Sequence, residues 1–181
     1  MFLNRFKDSP KNKYVIIMTL IGLVLVVLVY VLVFIPIEAA VSSYGILDYE
    51  FAWISERVLL IFSAWGSDGI AYQAIAIYWD FLYILGYVSL TLGLILIVLR
   101  RSEGKTQTIG IYFTLAPFLT GIFDIIENIN LLIMLNNPTS VSTIVSLTAS
   151  VCALIKFSFL FTAIIYFILA LVTIILNKIR K

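Results

Sequence analysis

Residues 116–132 read APFLTGIFDIIENINLL, and this stretch decides how the rest of the chain is interpreted. It is apolar enough to form most of a membrane-crossing helix, yet it contains Asp124, Glu127 and Asn128. Together with Thr120, these residues recur at spacings of three and four and therefore share one helical face. Because ionisable groups are costly inside a bilayer, we expect this face to turn toward protein and away from lipid.

The composition of the whole chain agrees with a membrane protein. Of 181 residues, 62% are hydrophobic and 12% are charged, whereas a soluble domain carries about 25% charged residues. The single cysteine, Cys152, excludes an intramolecular disulfide, and the chain has no histidine, the commonest ligand for metals and haem. We therefore expect no cofactor and no metal. Because the basic residues lie where membrane topology would place them, we also expect no nucleic-acid partner.

The hydropathy pattern predicts an all-α membrane protein, a four-helix bundle that forms one domain. The predicted crossings are residues 14–35, 69–99, 109–135 and 141–176. Pro36 is expected to end the first of them, because proline lacks the backbone N–H that a helix interior requires. The second exceeds the thickness of the hydrocarbon core and must tilt or project.

The connection between the first two crossings predicts an extra helix. Residues 48–65 carry an apolar stripe at helical spacing, with Asp48 as its N-cap and Gly66 just beyond its end. The stripe is too interrupted by charges to span a bilayer. We expect an amphipathic helix that lies on the outer membrane surface or over the mouth of the bundle.

The distribution of basic residues predicts the orientation. Ten of the twelve Lys and Arg residues lie in the two terminal tails and around the loop 102–108 between the second and third crossings. Basic residues concentrate on the cytoplasmic side. Both termini are therefore expected in the cytoplasm, in a multi-pass protein of the cell membrane.

Four charged residues fall at one depth in three predicted helices. Asp80, Asp124, Glu127 and Lys156 each lie 19 to 22 residues from a basic residue at the cytoplasmic end of the same helix, which places them roughly 28 to 33 Å from that end. An isolated lysine would be penalised in lipid, and three isolated carboxylates would repel one another. The sequence therefore predicts one buried cluster in the outer half of the bundle.

The charges of this cluster do not balance. Three carboxylates and one ammonium leave two negative charges, so we expect at least one carboxyl to be protonated at neutral pH. Three carboxylates would suit Ca²⁺, but an adjacent lysine argues against a cation.

Polar and aromatic residues share the face of Asp80 in the second crossing. The candidate residues of a ligand-binding site or buried polar cluster are Asp80, Tyr83, Tyr87, Asp124, Glu127, Asn128 and Lys156. Core packing or an interfacial aromatic belt is the default role for the two tyrosines and for Trp79.

Three of these motifs resemble those of a known family. The tetrapeptide WDFL at 79–82, the pattern DxxEN at 124–128 and the stretch from Thr148 to Lys156 are similar to a family of small prokaryotic four-helix membrane proteins without an assigned activity. The likeness covers residues 69–168. A looser similarity in size and intramembrane acids links the chain to the sterol isomerase and sigma-2 receptor group, whose members have amphiphile pockets. The chain lacks histidine and most of that group's motif, so this likeness transfers no chemistry.

Three functions remain open from the sequence. The cluster could line a pocket for a small amphiphile or membrane lipid, where an acid and a base beside Lys156 could also catalyse an isomerisation. It could instead fasten the helices of a structural or accessory subunit, within a homo-oligomer or a larger membrane complex. Proton-coupled transport is the third, although no second charged layer continues toward the cytoplasm.

Overall fold

A computed structural model describes residues 2–41 and 43–179, and every regular element in these ranges is helical. Four helical stretches are long and apolar enough to cross a membrane, which confirms the predicted four-helix architecture. A short 3₁₀ helix, Phe2–Lys7, precedes them. The α-helices are α1 (Asn12–Val29), α2 (Ile35–Ala40), α3 (Ile46–Glu50), α4 (Ser55–Arg101), α5 (Gly104–Phe113), α6 (Ala116–Asn136) and α7 (Thr143–Ile179).

The prediction that Pro36 ends the first helix is wrong. A π turn, Tyr30–Phe34, joins α1 directly to α2, so one continuous helical stretch reaches Ala40. In this turn the Ile35 N–H donates to the carbonyl of Tyr30, five residues earlier. A proline leaves a carbonyl group of the preceding turn without its usual N–H donor. A π turn pairs the carbonyl groups there with other N–H donors, so the helix continues.

The segment between the first two long helices also differs from the prediction. Asp48 does not cap a helix that runs to Gly66, because it lies inside α3, where its Oδ2 accepts a hydrogen bond from the Gly45 N–H at 3.0 Å. The next helix, α4, begins only at Ser55. Gly66 has a φ of 64° and bends α4, so residues 55–65 run in a different direction from the rest of the helix.

The predicted loop at 102–108 is mostly helical. The backbone N–H of Ser102 donates to the Leu99 carbonyl and its hydroxyl donates to the Val98 carbonyl, which ends α4. The chain then turns at Glu103, and α5 begins at Gly104 with a φ of 60°. A break at Thr114 separates α5 from α6.

The long helices pack in two pairs, with α1 along α4 and α6 along α7. An apolar cluster fixes the connecting segment against the second pair, because Tyr49 and residues of the 55–65 stretch pack on α6 and α7. Its buried members include Tyr49, Ala52, Val58, Ile61, Phe62, Trp65, Leu131, Met134, Leu135 and Ala149. This packing holds α3 beside the long helices, near the charged residues Asp124, Glu127 and Lys156.

Candidate functional site

The ammonium group of Lys156 is the centre of a buried ionic cluster. Its Nζ lies 2.8 Å from Asp124 Oδ1, 2.8 Å from Glu127 Oε2 and 3.4 Å from Glu50 Oε1. All four side chains are at least nine-tenths buried. Buried charges of opposite sign persist when they pair with one another in this way.

The two long helices of the cluster, α6 and α7, approach closely because small residues line their contact. On α7, Ser146, Ala149, Ser150 and Ala153 are each at most 1% exposed. Small side chains allow helix backbones to approach, which brings short polar contacts within reach. Lys156 follows this stretch on the same helix and therefore points toward α6.

Glu50 was not among the residues predicted from the sequence. It ends α3, outside the four long helices, and its backbone carbonyl accepts a hydrogen bond from the Ser150 hydroxyl at 2.7 Å. The neighbouring Tyr49 hydroxyl donates to the Leu131 carbonyl at 2.7 Å. The one sequence signal was that aromatic residues flank Glu50 on both sides, which is unusual for an exposed acid.

Burial is the main cause that raises the pKa of Glu50. The ammonium of Lys156 lowers this pKa and the carboxylate of Asp124 raises it further. Because the net shift is upward, the folded protein favours the protonated form of Glu50 more than the unfolded chain does.

Asp80 does not reach Lys156, contrary to the predicted cluster of four. Its Oδ2 instead accepts a hydrogen bond of 2.6 Å from Asn128 Nδ2, one residue after Glu127 on α6. The equal depth predicted from residue counting places Asp80 beside the ionic group, but not in contact with its cation. Asn128 thus connects α4 to the cluster.

The two predicted tyrosines have different contacts. Tyr87 donates from its hydroxyl to Asp124 Oδ2 at 2.7 Å, so Asp124 is held by both a tyrosine and Lys156. The ring of Tyr83 packs against Phe34, with the ring centroids 5.1 Å apart, and against Tyr87 at 5.8 Å. Tyr83 therefore joins the first long helix to the wall that carries Asp80.

A cavity of about 560 Å³ lies next to these residues. One part of its wall is largely apolar and comes from the end of the first long helix, which also contributes Glu38, and from Phe157 and Leu160 of α7. Another part of the wall carries Asp80, Tyr83, Tyr87, Asp124, Asn128 and Lys156. Glu127 does not line the cavity and lies behind this wall with no exposed surface.

The segment over this cavity is shorter than the predicted outer helix. Of residues 48–65, Glu50 alone lines the cavity, and the remaining cover comes from Ser43 to Leu47. We call residues 43–54 the cover segment. Its other attachments include the Trp65 indole N–H, which donates to the Tyr44 carbonyl at 2.8 Å.

The acids of the site do not form a metal centre. Within the described ranges, no three Asp, Glu or Cys side chains are arranged to hold a metal ion. The position that a cation would take among Glu50, Asp124 and Glu127 is occupied by the Lys156 ammonium.

No family model matches this chain, and no curated protein or solved structure matches it. The resemblance to the prokaryotic four-helix family therefore stays a prediction.

Proposed function

We propose that this chain is an integral membrane protein that binds a small amphiphile or lipid with a cationic head in the cavity beside Asp80. The cavity is the observation that carries this proposal, because it combines an apolar wall with a charged one. Its volume of about 560 Å³ falls within the range typical of small-molecule sites.

The ion pairs favour a cationic head over an anionic one. Among the described residues that line the cavity, Lys156 contributes the one ammonium, and three acidic side chains already surround it. Asp80 lines the same cavity without an ion pair to any described residue. An incoming cation would therefore meet an unpaired carboxylate, whereas an anion would meet net negative charge.

The rings near Asp80 suit the same kind of head. Phe34 and Tyr83 pack against each other and both line the cavity. Aromatic faces attract ammonium groups, most strongly where water is excluded. The alkyl part of an amphiphile would lie along Phe157 and Leu160.

The proposed orientation places both termini in the cytoplasm of a cell whose membrane the four long helices cross. This follows from the basic residues in the tails and near residues 100–105. The cavity and the cover segment then lie in the outer half of the bilayer, and residues 55–65 lie near its surface. An amphiphile would enter from the outer leaflet.

A bulky substitution in the cavity wall tests the proposal. Ala76 is buried and lines the cavity, whereas Ala71 lies on the same helix with its side chain exposed. Mass spectrometry of molecules that copurify in nanodiscs should show a species lost in Ala76→Phe and retained in Ala71→Phe. Equal amounts in both variants and in the wild type would contradict a ligand in this cavity.

A structural role for the ionic cluster is the second candidate. It is favoured by Glu127, which is fully buried, pairs with Lys156 and does not face the cavity. In a bilayer, apolar side chains pack against lipid as readily as against another helix. Buried ionic contacts can therefore hold helices together where apolar packing alone does not. In that case Lys156→Met would disrupt assembly, and Ala76→Phe would leave every copurifying species unchanged.

A further inference from the structure

Two acids of the cluster have oxygen atoms that lack a hydrogen-bond donor. Glu50 Oε2 and Glu127 Oε1 are both buried, and no described residue donates to either of them. The other oxygen of each carboxyl lies near the same ammonium, at 3.4 Å for Glu50 and 2.8 Å for Glu127. Both carboxyls therefore contact the same ammonium, which brings them near each other.

Two ionised carboxylates cannot satisfy each other, because both groups only accept hydrogen bonds. A single proton changes this, since a protonated carboxyl donates to its neighbour. The same proton removes one of the two negative charges that Glu50, Asp124 and Glu127 leave in excess over Lys156. One proton thus addresses both the missing donor and the charge imbalance.

We propose that Glu50 and Glu127 form a binding site for one proton, and that this proton holds the cover segment closed over the cavity. The proton site is independent of any ligand. Its role in gating the cavity rests on the ligand-binding function proposed above.

Every neighbouring element contributes charged or titratable groups to this site. Besides Glu50 and Glu127, α6 contributes Asp124, α7 contributes Lys156 and the thiol of Cys152, and α4 contributes Asp80 and the Tyr87 hydroxyl. Lys156 is the one cation of this set. Its single positive charge faces three carboxyls and can offset only one of their negative charges. Burial and the charge of Asp124 together outweigh Lys156 at Glu50 and favour retention of the proton.

The position of Glu50 connects this proton to the cover segment. The backbone has positive φ at Ser43, 75°, and at Trp53, 63°, near the two ends of the segment. The Ser150 hydroxyl, which donates to the Glu50 carbonyl, also accepts a hydrogen bond of 2.9 Å from the Trp53 N–H. When the proton leaves for water in the cavity, Glu50 becomes an ionised group in a buried place beside Asp124, at a cost that its attraction to Lys156 does not offset. Exposure to water relieves this cost, so the segment is released.

Infrared spectroscopy tests the proton site directly. The C=O band of a protonated carboxyl should be present in the wild type at neutral pH and lost in both Glu50→Gln and Glu127→Gln. Asp48→Asn, an exposed acid of the same segment, should keep the band. A band that survives in Glu50→Gln, or no such band in the wild type, would overturn the proposal. Glu50 lies outside the long helices, so Glu50→Gln remains informative if Glu127→Gln fails to fold.

Thiol labelling tests the coupling to the cover segment. Ala52 is 4% exposed within this segment, so Ala52→Cys in a Cys152→Ala background reports its opening. The labelling rate should rise more steeply with pH than in the same protein carrying Glu50→Gln, since glutamine keeps the neutral state. Equal pH dependence in the two would refute the coupling. Neither measurement requires a ligand, so a failure here is distinct from a failure of the proposed binding function.

Discussion

Glu50 Oε1 lies 3.4 Å from Nζ of Lys156, which ties a connecting segment to the interior of a long helix. The contact gives the cover segment an anchor beside the cavity. It also gives Lys156 a third acidic neighbour, in addition to Asp124 and Glu127. The stability of the bundle and the closure of the cavity therefore depend on the same ammonium group.

Removal of that ammonium should be strongly destabilising. In Lys156→Met, three buried acids lose the one cation that the described residues place beside them, and breaking a buried ionic group of this kind costs about 3 to 5 kcal/mol in soluble proteins. Thermal unfolding in detergent should show a large loss of stability. Lys178→Met, an exposed lysine at the end of the same helix, should have little effect.

The loss should be smaller when a carboxylate is removed as well. The double variant Lys156→Met, Glu127→Gln should be more stable than Lys156→Met alone, because one uncompensated charge is gone. Strict additivity of the two single changes would contradict the ion pair between these residues.

The hydroxyl of Ser150 should contribute more than that of a surface serine. In Ser150→Ala, the Trp53 N–H and the Glu50 carbonyl lose their hydrogen-bond partner in a buried place, at a cost of about 1 to 3 kcal/mol. Hydrogen exchange should increase within the cover segment. Ser158→Ala, an exposed residue of α7 bonded only within its own helix, is the matched control and should leave this exchange unchanged.

Close packing of α1 on α4 depends on Gly22. A Cβ atom at this position would lie 2.6 Å from the Gly86 carbonyl oxygen and 2.6 Å from the Leu90 backbone nitrogen, and backbone atoms do not yield as side chains do. Gly22→Ala should therefore destabilise the protein by about 1 to 3 kcal/mol. A Cβ atom at Gly45 meets nothing within 4 Å, so Gly45→Ala should be close to neutral.

The raised pKa of Glu50 predicts how stability depends on pH. Burial raises this pKa above the ordinary value of 4.5, so the folded state keeps a proton that the unfolded chain releases. The associated stabilisation is present below 4.5 and is lost as the pH rises through the raised pKa. Chemical unfolding from acidic to neutral pH should show this decline in the wild type and a flatter profile in Glu50→Gln. Asp48→Asn should follow the wild type.

Local sequence patterns were sufficient to predict the four long helices and part of the ionic cluster. The shared face of Asp124 and Glu127 follows from helical spacing, and the depth of Lys156 follows from residue counting. The contact of Asp80 could not be derived in this way, because depth along a helix says nothing about lateral distance. Asp80 instead accepts a hydrogen bond from Asn128, which residue counting does not indicate.

The cover segment was the least predictable part. Glu50 meets Lys156 only because Tyr49 and Ser150 fix the backbone of a short irregular region, and such long-range contacts have no signature in sequence spacing. Pro36 was misinterpreted for a different reason. A π turn accommodates its missing N–H within the helix, and the local composition gave no indication of that turn.

The most direct test of the account is the binding of a long-chain alkylammonium probe to the protein in nanodiscs of neutral lipid, measured by titration. The wild type should bind it saturably, and Asp80→Asn should bind it at least about tenfold more weakly, because a hydrogen-bonded charge contact is worth about 1.5 to 3 kcal/mol. Asp68→Asn, an exposed acid of the same helix, should bind like the wild type. Equal affinity of the wild type and Asp80→Asn, or equal binding of the alcohol with the same chain, would contradict a cation site at Asp80.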